Sequence, residues 1–327
     1  MRLARRIGWS ALLAGVLALL IVPMVVPISS TGTRTVSEVA PPGATFIDIG
    51  SLTVHYQFLP HRGGLDNPPL FVLLHGFGAS TYSWREVVEP LADLGDVVAY
   101  DRPAFGLTQR PTEWSGPSPY GSDAQLELVA NIIDTFGDEG QPVVVVGHSA
   151  GGTLAAEFAL RSPEKVSGLI LVAPAILTTG GGPGWLSWFL QVPQIDRLGP
   201  ILVGGIATSG DELLERSWHD LSKLTPEIRD NYRIPLQIEN WERAFWEFQK
   251  APRDFRISSR PEDLLVPVAI ITGDDDRVVP TSDSLELGTL IQGSAVAVIP
   301  RSGHLPQEET PEEFLSQVLA FLPGLIS

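Results

Sequence analysis

Residues 143–152 read Val-Val-Val-Val-Gly-His-Ser-Ala-Gly-Gly, a buried-strand run that passes into G-x-S-x-G and then into a helical stretch rich in Ala and Leu. A serine on a sharp strand-to-helix turn has strained backbone angles, and glycines two positions to either side let the turn close. Such a turn lifts the Ser149 hydroxyl above the carboxyl end of a sheet, at a helix N-terminus whose free N–H groups favour negative charge. The chemistry this suits is nucleophilic attack by the hydroxyl. The plain alternative is a Gly/Ser turn without chemistry.

A serine hydroxyl attacks well only when a base takes its proton and a third group orients that base. The chain has six histidines. His55 falls in a hairpin, His61 in a Gly-rich loop and His219 in a helical insertion, while His75 and His148 sit in turns beside other motifs. His304 ends the loop Pro300-Arg301-Ser302-Gly303-His304 after the last strand and leaves the same sheet edge as Ser149, so it is the candidate base. The orienting acid should leave a strand at that edge too. Thr272-Gly273-Asp274-Asp275-Asp276-Arg277 offers three aspartates, and residue type alone does not choose among them. The order serine, acid, histidine suits strands of one parallel sheet. A developing oxyanion needs two N–H donors. Ala150, after the serine, supplies one, and Phe77 in His75-Gly76-Phe77-Gly78 is the natural second.

The elements that must position these groups follow from the pattern. From Thr45 onward, β-rich runs at Thr45–Ile49, Thr53–Phe58, Leu70–Leu74, Val97–Tyr100, Val143–Val146, Leu169–Val172, Val268–Ile271 and Ala295–Ile299 alternate with helical stretches. Those helices are expected at Ser83–Leu94, Ser122–Phe136, Ala150–Arg161, Ser282–Ile291 and Pro311–Phe321. Alternation of this kind predicts an α/β fold: a mostly parallel sheet with helices on both faces. Residues 174–265 interrupt the rhythm with helical segments and no convincing strand, far beyond an ordinary connection, and read as an inserted helical cap between core parts 45–173 and 266–327. Five of the eight tryptophans fall in this cap. Over a pocket, Trp185, Trp188 and Phe189 would favour a small apolar acyl or aromatic substrate and exclude water, or they would form the cap's own core.

Residues 1–30 are a separate object. Arg2, Arg5 and Arg6 precede Ile7–Ile28, an almost wholly apolar run of 22 residues. As a helix it would be about 33 Å long, enough for a bilayer core of about 30 Å. The expectation is a membrane anchor with the catalytic domain outside the cytoplasm, or a cleaved signal that leaves a secreted or periplasmic protein, with Ser30-Thr31-Gly32 the nearest small-x-small site. Residues 31–44 then read as a linker. The balance of 22 Lys and Arg against 38 Asp and Glu excludes a phosphate-neutralising nucleic-acid partner. The absence of cysteine excludes a disulfide scaffold, a thiolate metal site and a cysteine nucleophile.

Taken together these motifs resemble the α/β-hydrolase fold family over Thr45–Leu322. His75-Gly76-Phe77-Gly78 is similar to the family's oxyanion motif, Gly147–Gly152 to its nucleophile elbow, and Gly303-His304 to its terminal G-H. Asp101-Arg102-Pro103-Ala104-Phe105-Gly106 resembles its D-R-P-G-F-G turn, with Ala104 where glycine is commoner. The family's G-x-x-D-x-x-x-P pattern lands on Gly273, Asp276 and Pro280, so the resemblance selects Asp276 as the acid. It implies a serine hydrolase of esters or related acyl compounds that needs no metal or organic cofactor. Relatives that cleave epoxides or carbon–halogen bonds place aspartate at the elbow, and Ser149 departs from them. C–C bond hydrolases of ring-cleavage products share the triad but typically carry Trp after the histidine, where this chain has Leu305. Cofactor-free perhydrolysis and a triad-retaining ligand receptor complete the alternatives.

Overall fold

The structure, a computed structural model, describes residues 15, 17–18, 20–28, 30–178 and 189–326. Eight strands make one sheet: β1 Thr45–Ile49, β2 Leu52–Leu59, β3 Leu70–Leu74, β4 Asp96–Tyr100, β5 Val143–His148, β6 Gly168–Val172, β7 Val268–Gly273 and β8 Ala295–Ile299. Their spatial order is β1-β2-β4-β3-β5-β6-β7-β8. The β1–β2 and β2–β4 pairs are antiparallel, and every other neighbouring pair is parallel. Helices of eight residues or more that lie wholly within the described residues are α1 Ser122–Phe136, α2 Ala150–Arg161, α3 Pro193–Gly204, α4 Ile206–Arg216, α5 Pro226–Arg233, α6 Trp241–Lys250, α7 Thr281–Leu290 and α8 Pro311–Leu325.

The continuous apolar runs become strands because both faces are covered. Val72, Leu74, Val145, Leu169 and Ile270 point to one side, where Val129 and Ile132 of α1 and Leu154 and Phe158 of α2 cover them. Phe71, Leu73, Val144, Val146, Ile170 and Ile271 point to the other, against Trp84 and against Phe314 and Val318 of α8. The helix expected over Ser83–Leu94 forms instead as a 3₁₀ turn at Thr81–Trp84 and a short α-turn at Val88–Leu91. Trp84 is buried in the second layer, and Val87 between the turns leaves helical geometry at φ −120°.

Between β6 and β7 the described residues form α3 to α6 and contain no strand. This cap rests on the core through Trp241, Phe245, Trp246 and Phe248, which pack with Ala104, Phe105 and Tyr120 from the loop after β4. Residues 1–14 of the expected anchor or signal lie outside the described residues. Residues 16, 19 and 29 also lie outside them; 15, 17–18 and 20–25 are helical, and among the described residues no helix is long and apolar enough to cross a membrane. The stretch read as a linker is bound to the cap at its start: Thr33 and Arg34 N–H both donate to the Gln237 carbonyl, and Glu239 N–H donates to that of Arg34.

Candidate active site

Ser149 stands between β5 and α2 with φ +52° and ψ −118°, a conformation that only a well-supported turn holds. Its N–H donates to the Val172 carbonyl, and its carbonyl accepts from Gly152, Thr153 and Ala175 N–H. The glycines are steric necessities: a Cβ at Gly151 would lie 2.3 Å from the Leu74 carbonyl oxygen. Ala150 is the first residue of α2, so its N–H has no helical carbonyl to meet.

Two buried histidines fix the loops around the serine, His75 the loop after β3 and His148 the loop that carries His304, and their partners assign their tautomers. His75 Nδ1–H donates to the Gly76 carbonyl at 2.8 Å, and its Nε2 accepts from Arg102 N–H at 3.0 Å. Burial, aided by the nearby Arg102 charge, pushes this imidazole down to about 3, so it is neutral. Because the next peptide is trans, fixing the Gly76 carbonyl turns the Phe77 N–H the other way. His148 Nε2–H donates to the His304 carbonyl at 2.9 Å, and burial holds it well below the ordinary histidine range. A Cβ at Gly76 would lie 2.7 Å from His148 Nδ1 and 3.2 Å from Ser149 Cβ, so only glycine lets the loop come this close.

His304 Nδ1 is 2.7 Å from Asp276 Oδ2, and both residues are buried. Asp276 Oδ1 accepts from Val278 N–H at 2.8 Å and Val279 N–H at 2.9 Å, which fixes the carboxylate for its partner. The other two aspartates turn elsewhere. Asp275 Oδ2 meets His219 Nδ1 at 2.8 Å, and Asp274 Oδ1 accepts from Ser302 N–H. The structure records no hydrogen bond from Ser149 Oγ to His304; such contacts commonly tighten only with substrate in place.

Ser149, His304 and Phe77 line one cavity of about 330 Å³, walled from the cap by Leu213, Leu214, Tyr232, Leu236, Trp241 and Phe245. Phe77 packs edge-on against both Phe105 and Phe245, so the loop after β3 and the cap share an aromatic contact. Arg110 also lines the cavity. Burial lowers its guanidinium to about 10, and its Nε and Nη1 have no hydrogen-bond partner. Trp185 and Trp188 lie outside the described residues. Phe189, expected at the substrate, is 42% exposed and is not in the cavity wall.

Several contributors escaped the sequence reading. Trp241 and Phe245, four apart on α6, share the face turned to the cavity, a spacing visible in the sequence but lost among ordinary apolar positions. The Asp101 turn, already marked by its resemblance to the family's motif, ties strand β2, its own loop and the 3₁₀ turn together: Oδ2 is 2.7 Å from His55 Nδ1 and accepts from Leu107 N–H, and Oδ1 accepts from Thr81 N–H. Burial pushes the Asp101 carboxyl up, but the His55 contact and the Leu107 N–H outweigh it and hold the group below its ordinary range.

Residues 71–317 match the model of the Alpha/beta hydrolase family. The 2-hydroxy-6-oxo-2,4-heptadienoate hydrolase of Pseudomonas putida is 30% identical over 271 residues, covering 80% of this chain and 91% of its own. A meta-cleavage product hydrolase of Pseudomonas fluorescens, solved with acetates, is 26% identical with a TM-score of 0.63, over 86% of this chain and 97% of its own. A thermophilic esterase of Thermogutta terrifontis shares the fold at a TM-score of 0.64 and 23% identity, over 87% of this chain and 98% of its own. The sheet order, the strained serine and a family match spanning most of the catalytic portion agree: the chain belongs to the alpha/beta hydrolase family and is an enzyme of it.

Proposed function

We propose that this protein is a serine hydrolase of carboxylic esters or related acyl compounds that works through an acyl-enzyme. The observation that carries this reading is a largely apolar cavity lined by Ser149 and His304, with His304 held by Asp276 on its far nitrogen. Ser149 Oγ attacks the acyl carbon as His304 Nε2 takes its proton, and Asp276 stabilises the resulting imidazolium. Phe77 and Ala150 N–H donate to the oxyanion. The imidazolium then gives its proton to the departing alkoxide, and a water deprotonated by the same nitrogen releases the acid. Wild-type protein should hydrolyse p-nitrophenyl esters and take a fluorophosphonate label. Ser149→Ala should lose both, with kcat down at least about 10³-fold. A wild type that takes no label, or a Ser149→Ala variant with full activity, would refute the assignment.

A second reading is C–C bond hydrolysis of a ring-cleavage dienoate. It is favoured by the relatives named for that reaction and by Arg110, whose unpartnered guanidinium donors in the cavity wall would suit a substrate carboxylate. Leu305 in place of Trp after the histidine speaks against it. Loss of dienoate absorbance without ester turnover would move the assignment to this reaction.

A further inference from the structure

The segment just before the catalytic domain is fastened behind the wall of the cavity, to Glu242 and to the lining residue Trp241. Glu242, on α6, is 4% exposed, yet no cation is paired with it among the described residues. Its carboxylate is taken by the N-terminal segment instead. Oε2 accepts from Ser30 Oγ at 2.6 Å, and Oε1 accepts from Thr31 N–H at 2.5 Å and from Thr31 Oγ1 at 2.7 Å. Burial alone would raise this carboxyl, but these three donors hold it below its ordinary value. The neighbouring Trp241, 1% exposed, lines the cavity and donates its indole N–H to the same Thr31 Oγ1 at 3.1 Å. Thr31 Oγ1 therefore donates a hydrogen bond to Glu242 and accepts one from the indole N–H, and so ties both residues to one atom.

The next residues extend the contact. Arg34 pairs in parallel with Ile238, and Thr33, Arg34 and Glu239 exchange backbone hydrogen bonds with that strip. Gly32 passes so close that an added Cβ would lie 2.1 Å from the Ile238 carbonyl oxygen and 2.5 Å from Trp241 Cδ1. A backbone this near an indole ring leaves the ring no room to turn outward.

We propose that residues 30–34 are a strap that sets the shape of the acyl pocket, with Thr31 and Glu242 as positioning residues for Trp241. Without the strap, the indole loses its acceptor and its backing, and the cavity wall at that point is free to widen. The proposal rests on the reading of the cavity as an acyl pocket. Its chemical consequence is selectivity by acyl length rather than any change in the reacting groups.

The test uses the full chain with Thr31→Val, which keeps the shape of threonine but removes its oxygen, and Gly32→Ala, which drives the backbone away. Hydrogen exchange over residues 236–248 reports whether the strap has let go. Chain-length profiles on p-nitrophenyl acetate to decanoate report the pocket. The expected result is faster exchange in both variants with a changed profile. The kcat/KM ratio of long to short esters should move about tenfold, through KM more than kcat, the lower end of what a reshaped apolar pocket commands. Faster exchange with a wild-type profile would overturn the proposal, as would unchanged exchange in both variants. Should wild-type protein hydrolyse no ester, the catalytic reading falls separately. Binding of the apolar dye anilinonaphthalene sulfonate to the cavity then replaces the profile: a changed Kd in Thr31→Val supports the strap and an identical one refutes it.

Discussion

Asp275 and Asp276 are adjacent, chemically identical and put to different uses. Asp276 lies behind His304 with its second oxygen tied by two backbone N–H groups, whereas Asp275 is partly exposed and meets His219 and Arg277. Asp276→Asn should reduce kcat on a p-nitrophenyl ester by about 10⁴-fold, because a neutral amide favours the wrong imidazole tautomer. Asp275→Asn should change it by less than about threefold, since that pair is half in water. Equal effects of the two in parallel assays would reject the assignment. Residue type alone did not choose among the three aspartates at this turn, whereas the resemblance of Gly273, Asp276 and Pro280 to the family pattern selected Asp276. The choice depends on which carboxylate the turn aims at a loop 28 residues away. Ala104 is a similar case: it holds φ +77°, the left-handed region in which glycine costs less, and this gives the physical reason that glycine is commoner in the motif it resembles.

Among the elements, the loop that carries His304 and the cap share a joint. The buried Glu309 carboxylate accepts from His219 N–H at 3.0 Å, Asp220 N–H at 2.7 Å and Gly303 N–H at 2.7 Å. His304 N–H donates in turn to the Ser217 carbonyl at 2.8 Å. Removing one acceptor therefore strands three donors at the junction of two elements. Glu309→Ala should destabilise the protein by about 3 kcal/mol, read from the urea midpoint, with Glu309→Gln recovering part of the loss. A loss below about 1 kcal/mol would show that the joint carries no strain between cap and core. The strands and most helices were legible because their periodicities are strong. The predicted helix at Ser83–Leu94 failed because burial of Trp84 overrode local preference. The strap at residues 30–34 had no signal beyond small polar residues, since its partners lie more than 200 positions away.

For the whole molecule, two buried neutral histidines set the response to acid. His75 is held at about 3 and His148 well below its ordinary 6.5, so the unfolded chain binds these protons first as pH falls. Stability is then full above the unfolded value near 6.5 and is lost below it, with a slope approaching about 1.4 kcal/mol per pH unit for each histidine. Glu308, whose carboxyl burial pushes up, acts with the opposite sign, leaving a net loss from two groups against one. Urea midpoints should fall steadily from pH 7 to pH 5, and a flat profile over that window would contradict the buried, neutral state of the pair.

What the amino-acid sequence determined by itself was local: strands buried on both faces, the glycine-framed serine, the order of serine, acid and histidine, and a helical insertion where strands should have continued. These follow from neighbours within a few residues, where side-chain period and backbone sterics act directly. Tertiary structure decided how Asp276 meets His304, which cap residues wall the cavity, that Phe189 is not among them, and that residues 30–34 are fastened to α6. Each of these is a contact between segments far apart in the chain, and such contacts are fixed only when the sheet and cap bring buried polar groups to the partners they need.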